Sequence, residues 1–364
     1  MYDPKDKIII YCDKCWWGDN WDSMKYQLSY DFKQSFFEQW TKLFKLVPLI
    51  QAWRFNNINS DYANYSTDDR NCYLSSSIVS CENIAYSYAV DKSQDIIDCL
   101  FVNKSNKCYE NMDSQNNYSS MYLQNCSGCI DSAFLFDCVN CQNCFLSSNL
   151  RNKKYVFRNK QCSKSGYESK MSKINLGDFS VLQNFCLEFQ REIRSSSINK
   201  FSQIVNCVGC SGNNIENSRN TRKSFNIYNS ENGKYSVRVG NSKDYQDVIG
   251  AIETELVYES IAPSFKGSDV QFSITNLASH GIRYSFLCSS SSHLFACIGL
   301  RSKQYCILNR QYTKEEYEEM MPKIIKHMND MPYIDSIRRV LPTGIKSILL
   351  QRNHSSRILS FNKS

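Results

Sequence analysis

From Asn71 onward small, polar and apolar positions recur in a short pattern: a small residue, any residue, a polar turn-forming residue, then an apolar one. It reads Cys81-Glu82-Asn83-Ile84, Ser93-Gln94-Asp95-Ile96, Ser105-Asn106-Lys107-Cys108, Gln115-Asn116-Asn117-Tyr118, Cys126-Ser127-Gly128-Cys129 and Cys138-Val139-Asn140-Cys141. The first members follow one another at steps of 12, 12, 10, 11 and 12 residues, and a third small column comes three residues later, at Ser87, Cys99, Asn111, Met121, Ser132 and Cys144. Self-similarity at a fixed short period marks a solenoid, whose units bury inward side chains only against their neighbours. Two units, about 24 residues, are expected to make one coil. The fold class is therefore mainly β, a duplicated parallel β-solenoid resembling a β-helix, with short covering helices.

The duplication is visible directly. Phe145, Leu150, Arg151, Lys153, Tyr155, Asn159, Gln161, Lys164 and Tyr167 recur as Phe295, Leu300, Arg301, Lys303, Tyr305, Asn309, Gln311, Lys314 and Tyr317, at a constant offset of 150. Nine identities in one register mean that each array ends in the same closing motif. After the second copy, Thr313 and Glu316 form a capping box for a helix through Met320, with Pro322 as a kink or restart. Gly166 weakens the corresponding helix in the first copy, and a separate helix is expected over Phe179 to Arg194. Near the chain start Asp31 is placed to cap a helix to about Leu46, with Phe36, Phe37, Trp40, Leu43, Phe44 and Leu46 on one face and Pro48 as the stop. That helix is expected to cover the open end of the array that follows.

The expected layout is a partial zinc-ribbon-like segment at 1–28, a covering helix at 29–48, and a first array with its closing motif at 70–171. A helical linker at 172–200, a second array with closing motif and helix at 201–332, and an irregular tail at 333–364 complete it. The second array is regular only near its end, where Val270, Ile282 and Leu294 keep a 12-residue step.

Composition sharpens this picture. With 42% apolar residues in 364, the chain has enough to bury cores, and 18 Cys, 23 Tyr and 20 Phe against only 13 Gly and 6 Pro fit polar turns around narrow apolar ladders. The charge of +7, from 43 basic and 36 acidic residues, is spread along the chain and only weakly permits anionic partners such as nucleic acid. No stretch has the roughly 20 apolar residues of a membrane helix, and the start MYDPKDKIII lacks an export pattern. A cytoplasmic protein without membrane insertion or structural disulfides is expected, its thiols free or bound to metal.

Cysteine carries the candidate chemistry. Cys126, Cys129, Cys138 and Cys141 form two C-x-x-C knuckles suited in number to tetrahedral Zn2+. The same columns hold Ser93, Ile96 and Ser105 in neighbouring units, however, and neither Ser nor Ile replaces a thiolate, so cysteine as a small buried hydrophobe explains the set better. Cys12 and Cys15 belong to no repeat column and are the stronger zinc candidates, conditional on further ligands from Cys207, Cys210 or elsewhere. His280, Cys288, His293, Cys297 and Cys306 follow the ladder. Arg151, Lys153, Arg301 and Lys303 are candidates for holding an anionic group, the alternative being that these closing coils satisfy strand edges beneath a capping helix. Asp95, Asp98 and Asp131 lie at polar positions but do not stack in one column, and no G-x-S-x-G, phosphate loop or H-E-x-x-H occurs.

The YCDKCWWGDNWD opening, the FFEQW helix, the NC-x-x-C repeats and the paired LR-x-K-x-Y closures resemble a family abundant in candidate-phyla bacteria, with N-terminal zinc ribbons and Cys-rich repeats. Its members often carry a CaiB/BaiF acyl-CoA transferase label. The resemblance covers residues 8 to about 333 and implies zinc at Cys12 and Cys15; nothing in these residues supports CoA chemistry, and the family's activity is unknown. In the family another C-x-x-C precedes the one at Cys12, so an N-terminally shortened chain is expected. Members also continue with YNETIAQEY where this chain reads LLQRNHSSRILSFNKS, and one nucleotide string encodes both in adjacent frames, so roughly residues 336 to 364 are expected to be an out-of-frame tail. The function read from the sequence is a non-catalytic binding or scaffold solenoid of unknown partner, possessing a zinc option. The alternatives are a zinc-dependent nucleic-acid-binding protein and a carbohydrate-active β-helix enzyme.

Overall fold

The computed structural model describes residues 5, 8–262, 265–334 and 340–341. The expected irregular tail lies mostly outside them. The chain forms two compact units, one of Ile50–Lys200 and one of Met1–Leu49 with Phe201–Ser364. Each unit is built on one parallel β-solenoid.

The coil is half the expected length. Strands pair in parallel with partners 12 residues away, as in Gln94↔Asn106 and Asn106↔Tyr118. Along the chain a left-handed residue recurs at every third position, for instance Asn83, Tyr86, Ala89, Lys92, Asp95 and Asp98 with φ of 48° to 59°. Each such residue turns the chain, so four triplets close one 12-residue coil. Asn and Asp tolerate this conformation best among non-glycine residues, which accounts for much of their excess. Where Asn or Asp recurs in one column, the side chains also bond along the axis: Asn59 donates to Asn71, Asn71 to Asn83 and Asn83 to Asp95.

Every third side chain consequently points inward, giving four inward columns per coil. The apparent steps of 10 and 11 residues are a passage from one column to its neighbour: Ser93, Ser105, Asn117, Cys129 and Cys141 keep a strict period of 12, and so do Val102, Ser114, Cys126 and Cys138. Real changes of period occur only in the second array, with an 11-residue step from Ile204 to Ile215 and a 13-residue step from Glu255 to Ser268. These explain why its repeat is hard to follow in sequence.

Inward Ser, Cys and Asn are required by the backbone. The residue after each inward position donates its amide to the next coil and the left-handed residue donates to the previous one, as in Glu82 to Ser93 and Asn83 to Arg70. The inward residue's own amide is left over, and a small polar side chain one coil earlier accepts it. Cys99 N–H donates to Ser87 Oγ at 3.1 Å, Asn111 N–H to Cys99 Sγ at 3.2 Å and Leu123 N–H to Asn111 Oδ1 at 2.9 Å. The hydroxyl or thiol in turn donates to the carbonyl two residues back, as Ser87 does to Ala85 at 2.8 Å. Apolar Ile78, Ile84, Val90 and Ile96 fill the remaining inward positions.

The helices close the units. They are α1 (Asp13–Trp17), α2 (Phe36–Leu46), α3 (Lys164–Met171), α4 (Phe179–Glu188), which runs on as a π-helical turn over Phe189–Arg194, and α5 (Lys314–Asp330). α2 is capped by Ser35 with Glu38, not by Asp31, whose carboxylate accepts the Lys33 amide instead. α5 continues through Pro322 without restarting, with the ring on its exposed side. α3 is only 8 residues long against 17 for α5, in line with the effect expected of Gly166.

α2 packs on the second array, within its own unit. Phe36 packs on Tyr284 and Phe295 of the second array, with centroids 5.0 and 5.3 Å apart, and Trp40 Nε1 donates to the Tyr284 carbonyl. The corresponding face of the first array carries Phe134 and Phe145, covered by Phe185 and Phe189 of α4 and its π turn. The reason is a shared aromatic receptor. Tyr122, Phe134 and Phe145 stack as Phe272, Tyr284 and Phe295 do, with parallel rings at 4.7 and 4.9 Å followed by edge-on rings at 5.5 and 5.6 Å.

Candidate functional site

Cys126, Cys129, Cys138 and Cys141 occupy two adjacent inward columns on successive coils, each at most 2% exposed. Their thiols donate to carbonyls of the wall, Cys126 to Gln124 and Cys138 to Phe136. Burial pushes the Cys126 thiol well above its ordinary range, while bonds with Cys129, Cys138 and Cys144 hold that of Cys141 well below it. In the second array the counterparts of these four positions are Asn276, Ser279, Cys288 and Ser291, all inward, and Asn276 accepts the Cys288 amide just as Asn117 accepts that of Cys129. Ser and Asn thus fill the same ladder positions in the second array. Among the described residues no group of three or more His, Cys, Asp or Glu is arranged to hold a metal ion.

Cys12 and Cys15 are the exposed cysteines, at the start of α1. The Cys15 amide lowers the Cys12 pKa, and the bond to Cys12 raises that of Cys15. They supply two of the four donors that tetrahedral zinc takes, so the residues present do not complete a zinc shell. Cys207 and Cys210 stand instead in the first coil of the second array, their thiols donating to Val205 and Val208 carbonyls.

The closing motifs are structural twins with one divergence. In both, the last strand reverses into an antiparallel hairpin, Val156↔Gln161 and Cys306↔Gln311, which ends the ladder. Asn159 Oδ1 accepts the Ser148 amide and Asn309 Oδ1 that of Ile298, each at 2.8 Å. Arg151 then binds Asp137, which Lys200 also reaches at 3.0 Å. Arg301 instead lies among Trp16, Trp17 and Trp21 at 5.4, 5.0 and 5.5 Å, and donates to the Trp16 carbonyl. Both guanidinium groups are thus engaged within their own unit. Lys153 and Lys303 follow in the final coil, Lys153 exposed and Lys303 half-buried. Asp95 and Asp131 do share one outward column, but three coils separate them, roughly 14 Å at the usual strand spacing. Asp95 is occupied by Asn83.

A site that the sequence did not announce lies on the outer wall. In the first array a polar groove of about 820 Å³ runs along the axis over the column of Cys81, Ser93, Ser105 and Asn117. One bank is Asp68, Ser80, Lys92, Lys104 and Asn116; the other is Arg70, Glu82, Gln94, Asn106 and Tyr118. The second array has a groove of about 770 Å³ over Ser218, Ser230 and Ser242, between Asn206, Asn217, Asn229 and Asn241 on one bank and Val208, Arg219, Glu231 and Lys243 on the other. Counting back from the closing motifs and through the 13-residue coil, the two grooves occupy the same columns, and Arg70 and Glu82 coincide with Arg219 and Glu231. Both pairs stand on adjacent coils, and Arg219 approaches Glu231 to 3.9 Å. An offset of 149, one short of the closing motif's 150, is the signal that could have found them.

Comparison with known proteins adds no assignment. No family model matches the chain, and no curated protein matches it. Among solved structures, a protein assigned as an acetyltransferase from Desulfovibrio desulfuricans G20 aligns over 79% of this chain and 84% of its own at 10% identity, with a TM-score of 0.13. A likeness at that level carries no argument about function.

Proposed function

We propose that the protein is a non-catalytic binding scaffold in which each solenoid presents the same polar groove to an extended ligand. The observation that supports this is the recurrence of the groove in the same columns of both arrays, with Arg70 and Glu82 answered in register by Arg219 and Glu231 on its bank. Ladder packing does not require outward residues to be retained, whereas a bound ligand does. Of the two grooves the first holds Asp68 and Glu82 on opposite banks, but the second holds the single carboxylate Glu231 and neither holds a His, so the shared features favour binding over catalysis.

The test is affinity electrophoresis of the full chain through gels containing, separately, a carboxylated glycan, a neutral glycan, an acidic polypeptide and single-stranded DNA. Retardation by one class, lost in an Arg70→Glu, Arg219→Glu double variant with an unchanged circular dichroism spectrum, supports the groove. Retardation by none, or retardation that the variant keeps, overturns it. Zinc enters only as a proposal at Cys12 and Cys15, a two-thiolate half-site that needs donors from another source. Metal analysis of protein purified under reducing conditions, beside Cys12→Ser, Cys15→Ser protein, tests it, and equal metal in the two excludes that site.

A further inference from the structure

Resting on that reading, we infer that the grooves take a linear polysaccharide bearing carboxylate groups. The lining disfavours an extended peptide on two grounds. The backbone under the banks is already paired between coils, Glu82 N–H to Ser93, Gln94 N–H to Ser105 and Asn106 N–H to Asn117, so an extended peptide finds no free strand edge to join. A peptide also needs apolar pockets for alternate side chains, and the first groove is lined by hydroxyls, carboxamides and charges with Tyr118 and Cys81 the apolar exceptions.

A sugar chain meets each of these conditions. Its hydroxyls both donate and accept, which suits Gln94, Asn106, Asn116 and Asn117, and one extended sugar ring is close in length to one coil spacing, so successive rings meet successive coils. The first groove spans five coils from Asp68 to Asn116, roughly 19 Å of axis. Arg70, Lys92 and Lys104 exceed Asp68 and Glu82 by one positive charge, and Arg219 and Lys243 exceed Glu231 by one. Each groove therefore carries one excess positive charge to meet a carboxylate. The retained Arg can hold a sugar carboxylate through two parallel N–H donors, and the retained Glu can accept from a hydroxyl of the next ring.

The probe is a galacturonate oligomer of five or six rings, titrated into the full chain by calorimetry, beside the neutral glucose oligomer of the same length and oligothymidylate. The expected result is binding of the galacturonate oligomer at two sites per chain, about tenfold weaker at one site in Arg70→Ala and at the other in Arg219→Ala. The neutral oligomer should bind more weakly in proportion to the loss of its carboxylates. Binding of oligothymidylate or of an acidic polypeptide in place of the sugar, abolished by the same Arg variants, overturns the polysaccharide and leaves the groove reading intact. Sugar binding that neither Arg variant alters overturns both. No binding of the galacturonate oligomer overturns this inference alone.

Discussion

Ser87 is the position at which the ladder's logic is most exposed to a single substitution. Its hydroxyl accepts the Cys99 amide at 3.1 Å and donates to the Ala85 carbonyl at 2.8 Å, and its own amide donates to Ser75 Oγ at 3.1 Å. Ser87→Ala removes the first two bonds. The Ala85 carbonyl still accepts the Asp98 amide at 3.2 Å, so it is not orphaned. Cys99 N–H has no such second partner, and Cys99 is 3% exposed, so the amide stays buried and unpaired. The cost is about 1–3 kcal/mol, the desolvation penalty of one buried donor. Ser87→Cys keeps an acceptor and a donor, in the roles that Cys99 already plays toward Asn111 and Ile97, and should cost under about 1 kcal/mol. Native-state hydrogen exchange under reducing conditions reads this locally, which suits a solenoid whose coils need not unfold together. The Cys99 amide should exchange about 5- to 150-fold faster in Ser87→Ala and little faster in Ser87→Cys. If the Ala variant exchanges like wild type, or the Cys variant like the Ala variant, the account of why inward positions are Ser, Cys and Asn is wrong.

Three further outcomes follow from the same structure. Phe36→Ala empties the contact of α2 with Tyr284 and Phe295 and should destabilise the unit holding the second array by about 3–5 kcal/mol, read as a lowered denaturation midpoint; a midpoint shared with wild type would place α2 elsewhere. Asp69 is an inward carboxylate whose pKa burial raises, so its contribution to stability is full below its unfolded pKa and is lost as pH rises through the folded value; Asp69→Asn, which keeps the acceptor for Cys81 N–H, should raise the melting temperature at pH 7 and leave it unchanged near pH 3. With its pKa lowered by the Cys15 amide and full access to solvent, Cys12 should alkylate ahead of Cys15 and far ahead of buried Cys126 and Cys297, as peptide mapping after brief iodoacetamide treatment will show.

The solenoid was legible because its period is written in small residues. Ser93, Ser105 and Cys129 repeat at multiples of 12 whatever the outward residues do. The length of the coil was not legible, since a column gives the distance between equivalent positions but not the number of turns made between them. That number is set by the left-handed residue in every triplet, and at Tyr86, Ala89 and Lys92 nothing in the residue type announces a positive φ. The closing motif was legible because nine identities mark it, yet its Arg151 and Arg301 proved to be held by different partners, an acidic side chain and three indole rings. The grooves escaped because their residues point outward, where a solenoid tolerates nearly any polar side chain, and because the 11- and 13-residue steps hid the register in which Arg219 and Glu231 answer Arg70 and Glu82.

The covering helices show a deeper limit of the same kind. Residues 36–46 and 179–194 each precede an array in the chain, so the duplicated element is a helix followed by an array. α4, ahead of the second array, packs on the first, and α2, ahead of the first, packs on the second. The amphipathic face of α2 states that it needs an apolar receptor but carries no statement of which one. Tyr122, Phe134 and Phe145 on one array and Phe272, Tyr284 and Phe295 on the other have nearly the same ring geometry, so neither rejects a helix that the other accepts. What discriminates is finer: Trp40 donates its indole N–H to the Tyr284 carbonyl and stacks on Phe44, which stacks on Phe286, whereas position 136 of the first array is Phe136 under the Arg194 guanidinium. Phe286 and Phe136 are equivalent in register, and each is already matched to its own helix. Exchange between near-identical receptors is thus prevented by one indole donor and one cation, a specificity that only the assembled face expresses.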